Sequence, residues 1–173
     1  MKLISANIED LRSLYIENLR KALDMEQHIV KALPKMVEKS SDADLSQTFS
    51  THLEETRGHV NRVTALLDEL TGEASTATCK VISSLITEAE DTIKDVKDPI
   101  VLDVALISAA QQVEHHEIAV YGTLRSWAEL LGLDAHAQTL ESILEQEKNA
   151  DALLSDLSDE INVTAEAVAP ASA

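Results

Sequence analysis

The chain has 173 residues, enough for one domain with a sizeable core and too few for two ordinary ones. Aromatic residues contribute 2%, and there are only four glycines and three prolines, a composition that disfavours a β-sandwich or barrel and favours helices built from Ala, Leu, Glu and Lys. The formal charge of −17 and pI near 4.5 repel phosphate backbones and anionic lipid, so neither nucleic acid nor a membrane is an expected partner.

The single cysteine, Cys79, excludes an intramolecular disulfide framework and any all-cysteine zinc or iron–sulfur site, and it suits a reducing compartment. The stretch from Met1 to Asp10 turns acidic before an apolar signal core can form, and no apolar run approaches the roughly 20 residues that cross a bilayer. A cytoplasmic protein is therefore expected.

Four long amphipathic segments emerge when apolar positions are stepped by 100°. The first runs from near Asn7 through Leu11, Leu14, Leu19, Leu23, Ile29 and Leu33 to about Lys39, with a kink expected at Pro34, where a backbone donor is lost. The second opens at the N-cap candidate Asp42, carries Leu45, Phe49, Leu53, Val63 and Leu67, and stops at Thr71-Gly72, where glycine suits a C′ position. So short a break makes these two helices antiparallel neighbours. A small-residue stretch from Glu73 to Cys79 leads into a shorter stripe through Val81, Ile82, Leu85, Ile86, Ala89 and Ile93, of a length suited to a crossover. The third long segment opens at Asp98-Pro99, a cap followed by proline at the first helical position, and ends at Leu131-Gly132. The fourth runs from about Asp134 through Leu140, Leu144, Leu154 and Leu157 to Ile161. Residues 162–173 carry no stripe and are expected to form a flexible tail, leaving 1–161 as the domain. The fold expected is all-α: a ferritin-like four-helix bundle of two antiparallel hairpins, with a short crossover helix between helices 2 and 3.

Several acids lie on the apolar stripes instead of opposite them. In the first helix Glu26 falls in the series Leu19, Leu23, Glu26, Val30, Leu33. In the second, Phe49, His52, Glu55 or Thr56, His59 or Val60 and Val63 share a face, which points Glu55 inward with His52 and His59 beside it. Glu114 and Glu117 line up with Ala110 and Tyr121 in the third, and Glu147 and Asp151 with Leu140, Leu144 and Leu154 in the fourth. One buried carboxylate can neutralise itself by a raised pKa, but six converging need cations. Lys148 and Arg57 lie off the stripes, so only histidines share them. A pair of divalent metals held by carboxylate and imidazole meets the same need.

The spacing departs from the usual Glu-x-x-His form. Gly58 stands three after Glu55 and cannot ligate, whereas His59 stands four after it; Asp151 likewise stands four after Glu147, and both pairs keep one helical face. If His59 ligates it must be neutral, so metal affinity is expected to fall as pH drops through the imidazole range, near ~6.5 when unperturbed. His115 and His116 project away from the face of Glu114, His28 and His136 are expected to be solvated, Cys79 reads as a small buried hydrophobe, and Tyr121 could donate to a ligand carboxylate.

The runs Lys31-Ala32-Leu33-Pro34-Lys35-Met36, His52-Leu53-Glu54-Glu55-Thr56, Val113-Glu114-His115-His116-Glu117-Ile118-Ala119-Val120-Tyr121-Gly122-Thr123-Leu124 and Glu145-Gln146-Glu147-Lys148-Asn149-Ala150-Asp151 resemble the YciF/YciE branch of the ferritin-like superfamily. The resemblance covers roughly residues 8 to 160 and implies a di-metal carboxylate bundle, commonly a homodimer, in bacterial proteins linked to stress responses. It further implies that Glu26, Glu55, Glu114, Glu117, Glu147 and Asp151 occupy ligand positions. His59 stands where relatives often have glutamine and would add a nitrogen ligand; His116 stands where they often have tyrosine.

Three functions follow as expectations. The first is that the chain binds two divalent ions, iron first with manganese or zinc as alternatives, and has oxidase or peroxidase-like chemistry on a small-molecule substrate. Alternatively it binds metal without turnover, or it is a structural dimer.

Overall fold

A computed structural model describes residues 8–168 and contains five helices and no strand among them: α1 (Leu11–Lys39), α2 (Ala43–Thr71), α3 (Lys80–Asp95), α4 (Pro99–Leu130) and α5 (Asp134–Glu166). Residues 40–42 join α1 to α2 and residues 131–133 join α4 to α5, so each pair folds back as a hairpin. Packing is most extensive within the two hairpins, and α3 crosses between them against α1 and α4. The expected all-α bundle of two hairpins with a crossover helix is the observed architecture.

Local chemistry sets the ends. Asp10 caps α1 by accepting from Ser13 N at 2.7 Å, while Ser13 Oγ receives the Asp10 backbone N–H at 3.1 Å. This reciprocal cap starts the helix at Leu11, later than the start near Asn7 read from periodicity; Asn7 itself lies outside the described residues. Asp42 and Asp98 cap α2 and α4 as their positions predict, accepting from Leu45 N at 2.9 Å and from Ile100 N at 2.9 Å. Gly132 takes a positive φ of 69°, which lets Leu133 N reach Ala128 O at 2.9 Å and Gly132 N reach Glu129 O at 3.1 Å, the paired bonds of a Schellman stop. The α1 helix continues through Pro34 to Lys39. At the other end α5 runs to Glu166, so residues 162–166, expected in the tail, are helical; residues 169–173 of that tail lie outside the described residues.

The core is mainly aliphatic, with Leu19, Leu23, Leu67, Leu106, Leu124, Leu140 and Ile143 almost fully enclosed beside the aromatic Tyr15, Phe49 and Tyr121. Among the described residues no helix is long and apolar enough to cross a membrane. One polar tie joins the hairpins at their base: buried Asp103 accepts from Ser41 N, Ser41 Oγ and Asp42 N at 2.9, 2.5 and 3.0 Å, fixing the α1–α2 turn to α4. His136 corrects an expectation of solvation. It is buried, with Nδ1 3.2 Å from the Tyr15 hydroxyl and Nε2 3.4 Å from Glu69, because it lies one turn before Leu140 on the inward side of α5.

Candidate metal centre

At mid-height the apolar stripes of all four long helices are interrupted by ionisable side chains. The α1 stripe delivers Glu26, α4 delivers Glu114 and Glu117, and α5 delivers Glu147, all buried. On α2 the buried series is Phe49, His52, Thr56, His59, Val63, steps of three and four that settle which alternatives face inward. Glu55 then falls about 100° away from Thr56. Its side chain is 35% exposed, near His52 Nδ1 at 3.7 Å and accepting from Gln146 Nε2 at 3.4 Å. On α5 the buried series passes from Glu147 to Ala150 and Leu154, leaving Asp151 at the edge. The Asp151 side chain is 20% exposed and faces His115 Nε2 at 3.5 Å and Gln111 Nε2 at 3.4 Å.

Five of the seven residues predicted as ligands are thus brought together, Glu26, His59, Glu114, Glu117 and Glu147, while Glu55 and Asp151 stand outside the buried group. His52, placed by the sequence on the same inward face of the second helix but not counted among the seven, is inside it. The signal was present: His52 is three residues after Phe49 and seven before His59, on one face of α2.

The group divides into two sets. His52, Glu114, Glu117 and Glu147 each offer an atom within 4.8 Å of the others, and so do Glu26, His59 and Glu147. Glu147 belongs to both. Its Oε1 lies 2.8 Å from His59 Nδ1, and its Oε2 lies 3.9 Å from His52 Nε2. His52 Nε2 is also 3.3 Å from Glu114 Oε1, and His59 Nδ1 is 3.5 Å from Glu26 Oε1. Two outer contacts hold the group. The Tyr121 hydroxyl donates to Glu26 Oε1. Gln146 Oε1 lies 3.3 Å from His59 Nε2 and also accepts from Arg62; because that oxygen can only accept, it fixes the proton on Nε2 and leaves Nδ1 directed at Glu26 and Glu147.

Four carboxylates and two imidazoles share this space, and among the described residues no lysine or arginine is buried with them. Burial, then the charges of Glu147, Glu26 and Glu114, hold Glu117 well above the usual carboxylate range. Burial raises Glu26 despite His59 beside it, and raises Glu114 to about 8 despite His52. Burial opposes protonation of the histidines, but their acidic neighbours outweigh it. Glu55, Glu114 and Glu147 push His52 up to about 9, and Glu147 and Glu26 push His59 up to about 10. The unperturbed imidazole range expected for His59 therefore does not apply here. His52 in turn lowers Glu55.

Protons do not complete the group. Both oxygens of Glu117 and of Glu147, Oε2 of Glu26 and of Glu114, both ring nitrogens of His52 and Nδ1 of His59 are buried without a hydrogen-bond partner. Orphaned buried acceptors at this density are costly, and oxygen and imidazole donors arranged around a shared carboxylate fit a pair of divalent transition metals. Cys79, buried 3.7 Å from His116 Nε2, contributes no ligand atom to either set.

Comparison with known proteins agrees with this architecture. Residues 10–167 match the family model described as "Domain of unknown function (DUF892)". Protein YciF of Escherichia coli (strain K12) is 38% identical over 152 residues, covering 87% of this chain and 92% of YciF. The crystal structure of YciF, there called a stress protein, superposes with a TM-score of 0.85 at 36% identity, covering 89% of this chain and 98% of YciF. YcfI of Rhodopseudomonas palustris, described as a candidate structural protein, also gives 0.85, at 41% identity and with 88% and 98% of the two chains covered. A ferritin-like, diiron-carboxylate protein of Bacillus anthracis gives 0.68 at 19% identity over 87% and 99% of the chains, a likeness of fold alone. The chain belongs to the DUF892 family and has the ferritin-like helical-bundle fold.

Proposed function

We propose that this protein binds two divalent metal ions, iron in the first instance with manganese or zinc as alternatives, and uses them in oxidase or peroxidase-like chemistry in a bacterial stress response. The observation that carries the reading is the position of Glu147, the one side chain common to both buried ligand sets, flanked by four carboxylate oxygens and three ring nitrogens of other residues that lack hydrogen-bond partners. His52, Glu114 and Glu117 would hold one ion, Glu26 and His59 the other, and Glu147 both. When bound, iron supplies one-electron redox chemistry toward dioxygen or peroxide.

The chain's own part is to position and to exclude. Tyr121 keeps its proton, since burial and the charge of Glu26 raise its pKa well above the ordinary value, so its O–H stays available to orient Glu26. Gln146 holds His59 in the tautomer that presents a lone pair inward. Leu23 and Ile29, one turn either side of Glu26 on α1, and Leu124, one turn beyond Tyr121 on α4, are buried and limit the access of bulk water to the acids. The stress role rests on the likeness to YciF, and we extend the reading to a cytoplasmic homodimer. The description of the R. palustris relative favours a second reading, a non-catalytic or structural bundle. Anaerobic loading with ferrous iron followed by exposure to oxygen separates the two. Loss of ferrous iron at a rate set by protein concentration supports the first, and ferrous iron that decays as it does in buffer supports the second.

A further inference from the structure

A cavity of about 80 Å³ adjoins the buried group where α3 crosses α1 and α4, and shares no lining residue with the polar groove between α2 and α5 that exposes Glu55 and Gln146. Its inner end is formed by His52 and Glu114, both more than nine-tenths buried and both carrying atoms without a hydrogen-bond partner. The walls are apolar. Leu85 and Ile86 of the crossover stripe face Ala110 and Val113 of α4, and the small side chains leave the volume open. On α3 only Ile82 is fully enclosed, and Leu85 and Ile86, which line the cavity, are half-buried. The outer end carries Lys31 and Lys35, the latter 3.4 Å from Glu90. Two lysines at one opening are notable in a chain with 14 basic and 31 acidic residues.

We infer that this cavity is a binding site for a short aliphatic carboxylate, whose apolar end lies against His52 and Glu114 and whose anionic head meets Lys31 and Lys35. The size follows from volume. An apolar cavity of about 150 Å³ accepts benzene, so about 80 Å³ takes three or four carbons, with the head and the first carbon or two left in the mouth. The polarity follows from charge. At the mouth the ammonium groups of Lys31 and Lys35 outnumber the one carboxylate, Glu90, and repel an alkylammonium ion, whereas at the inner end the donor atoms of His52 and Glu114 would be taken up by metal. The inference rests on the di-metal reading and specifies it, since it places the methyl end, and not the carboxylate, next to the metal ligands.

The probe is hexanoate, titrated by proton NMR into full-length protein loaded with manganese, with the zinc-loaded protein as the diamagnetic reference and metal content measured on the same samples. Saturable binding is expected, with the terminal methyl relaxed by manganese more strongly than the protons beside the carboxylate. Hexylammonium is expected not to bind. Ala110→Leu, which puts three carbons into the cavity, should weaken hexanoate tenfold or more. Lys31→Glu with Lys35→Glu, confined to the surface, should weaken it at least fivefold even if the first variant folds poorly. Stronger relaxation at the carboxylate end, equal binding of hexylammonium, or unchanged affinity in the surface variant would overturn the inference. A sample holding two metals with no saturable hexanoate binding ends the inference alone, whereas one that takes up no metal ends the di-metal reading and the inference with it.

Discussion

His59 Nδ1 lies 2.8 Å from Glu147 Oε1, and the opposite oxygen of that carboxylate faces His52 Nε2 at 3.9 Å. A carboxylate wedged between two imidazoles, neither of which completes a hydrogen bond to it, is poorly satisfied by protons and well placed to join two cations.

Glu147 and Asp151 should therefore behave differently although the sequence treats them alike. Glu147→Gln is expected to lower affinity at both metal positions by at least tenfold, because one side chain serves the two. Asp151→Asn should change affinity by less than threefold. Calorimetric titration with zinc or manganese distinguishes the two variants, and equal losses would put Asp151 back among the ligands.

The metal-free protein should lose stability as pH rises. An imidazole with a raised native pKa, as in His52 at about 9 and His59 at about 10, contributes stability below the unfolded value near 6.5 and loses it as pH climbs through the native value. Glu114, raised to about 8, acts with the same sign between its ordinary 4.5 and 8, since the unfolded chain releases that proton first. Thermal melts between pH 6 and 9 should fall by about 5 °C or more without metal, and much less with it, because ions replace the protons. Parallel profiles for the two forms would contradict this.

Replacing Glu117 by leucine should abolish binding at the His52 position while leaving the helices intact. Both Glu117 oxygens are buried without a partner, so removing the carboxyl group relieves that penalty and the metal-free variant should melt at or above the wild type. Circular dichroism showing an unfolded Glu117→Leu protein would mean that the carboxylate is structural.

Tyr121→Phe removes one hydroxyl and little volume. Glu26 Oε1 then loses its donor, and metal affinity is expected to drop about tenfold, the usual scale for a group that orients a ligand. Retention of wild-type affinity would show that Glu26 needs no orientation.

Most of the fold could be read from the chain because its signals are local. Asp42, Asp98-Pro99 and Gly132 mark helix ends by their own chemistry, and the stripes identify the faces. Periodicity does not mark the start of α1, because the capping box at Asp10 outranks it, nor the burial of His136, whose partner Tyr15 is 121 residues away. In the candidate site, Glu26, Glu114, Glu117 and Glu147 were legible as acids in phase with aliphatic neighbours. Glu55 and Asp151 sit one position off that phase, and the difference of about 100° between adjacent residues is no larger than the width of an apolar face. The sequence places His52 and His59 on the inward face of α2 together with Glu55 or Thr56, and the structure turns both histidines and Thr56 inward.

The central claim, a buried centre for two metals, is tested most directly by metal content. Full-length protein loaded with ferrous iron or manganese, freed of excess ion and analysed for metal against protein concentration, should contain two ions per chain. At free metal about a thousandfold above Kd it should melt about 10 °C higher than the stripped protein. A protein that retains no metal and melts at the same temperature in both states would contradict the account.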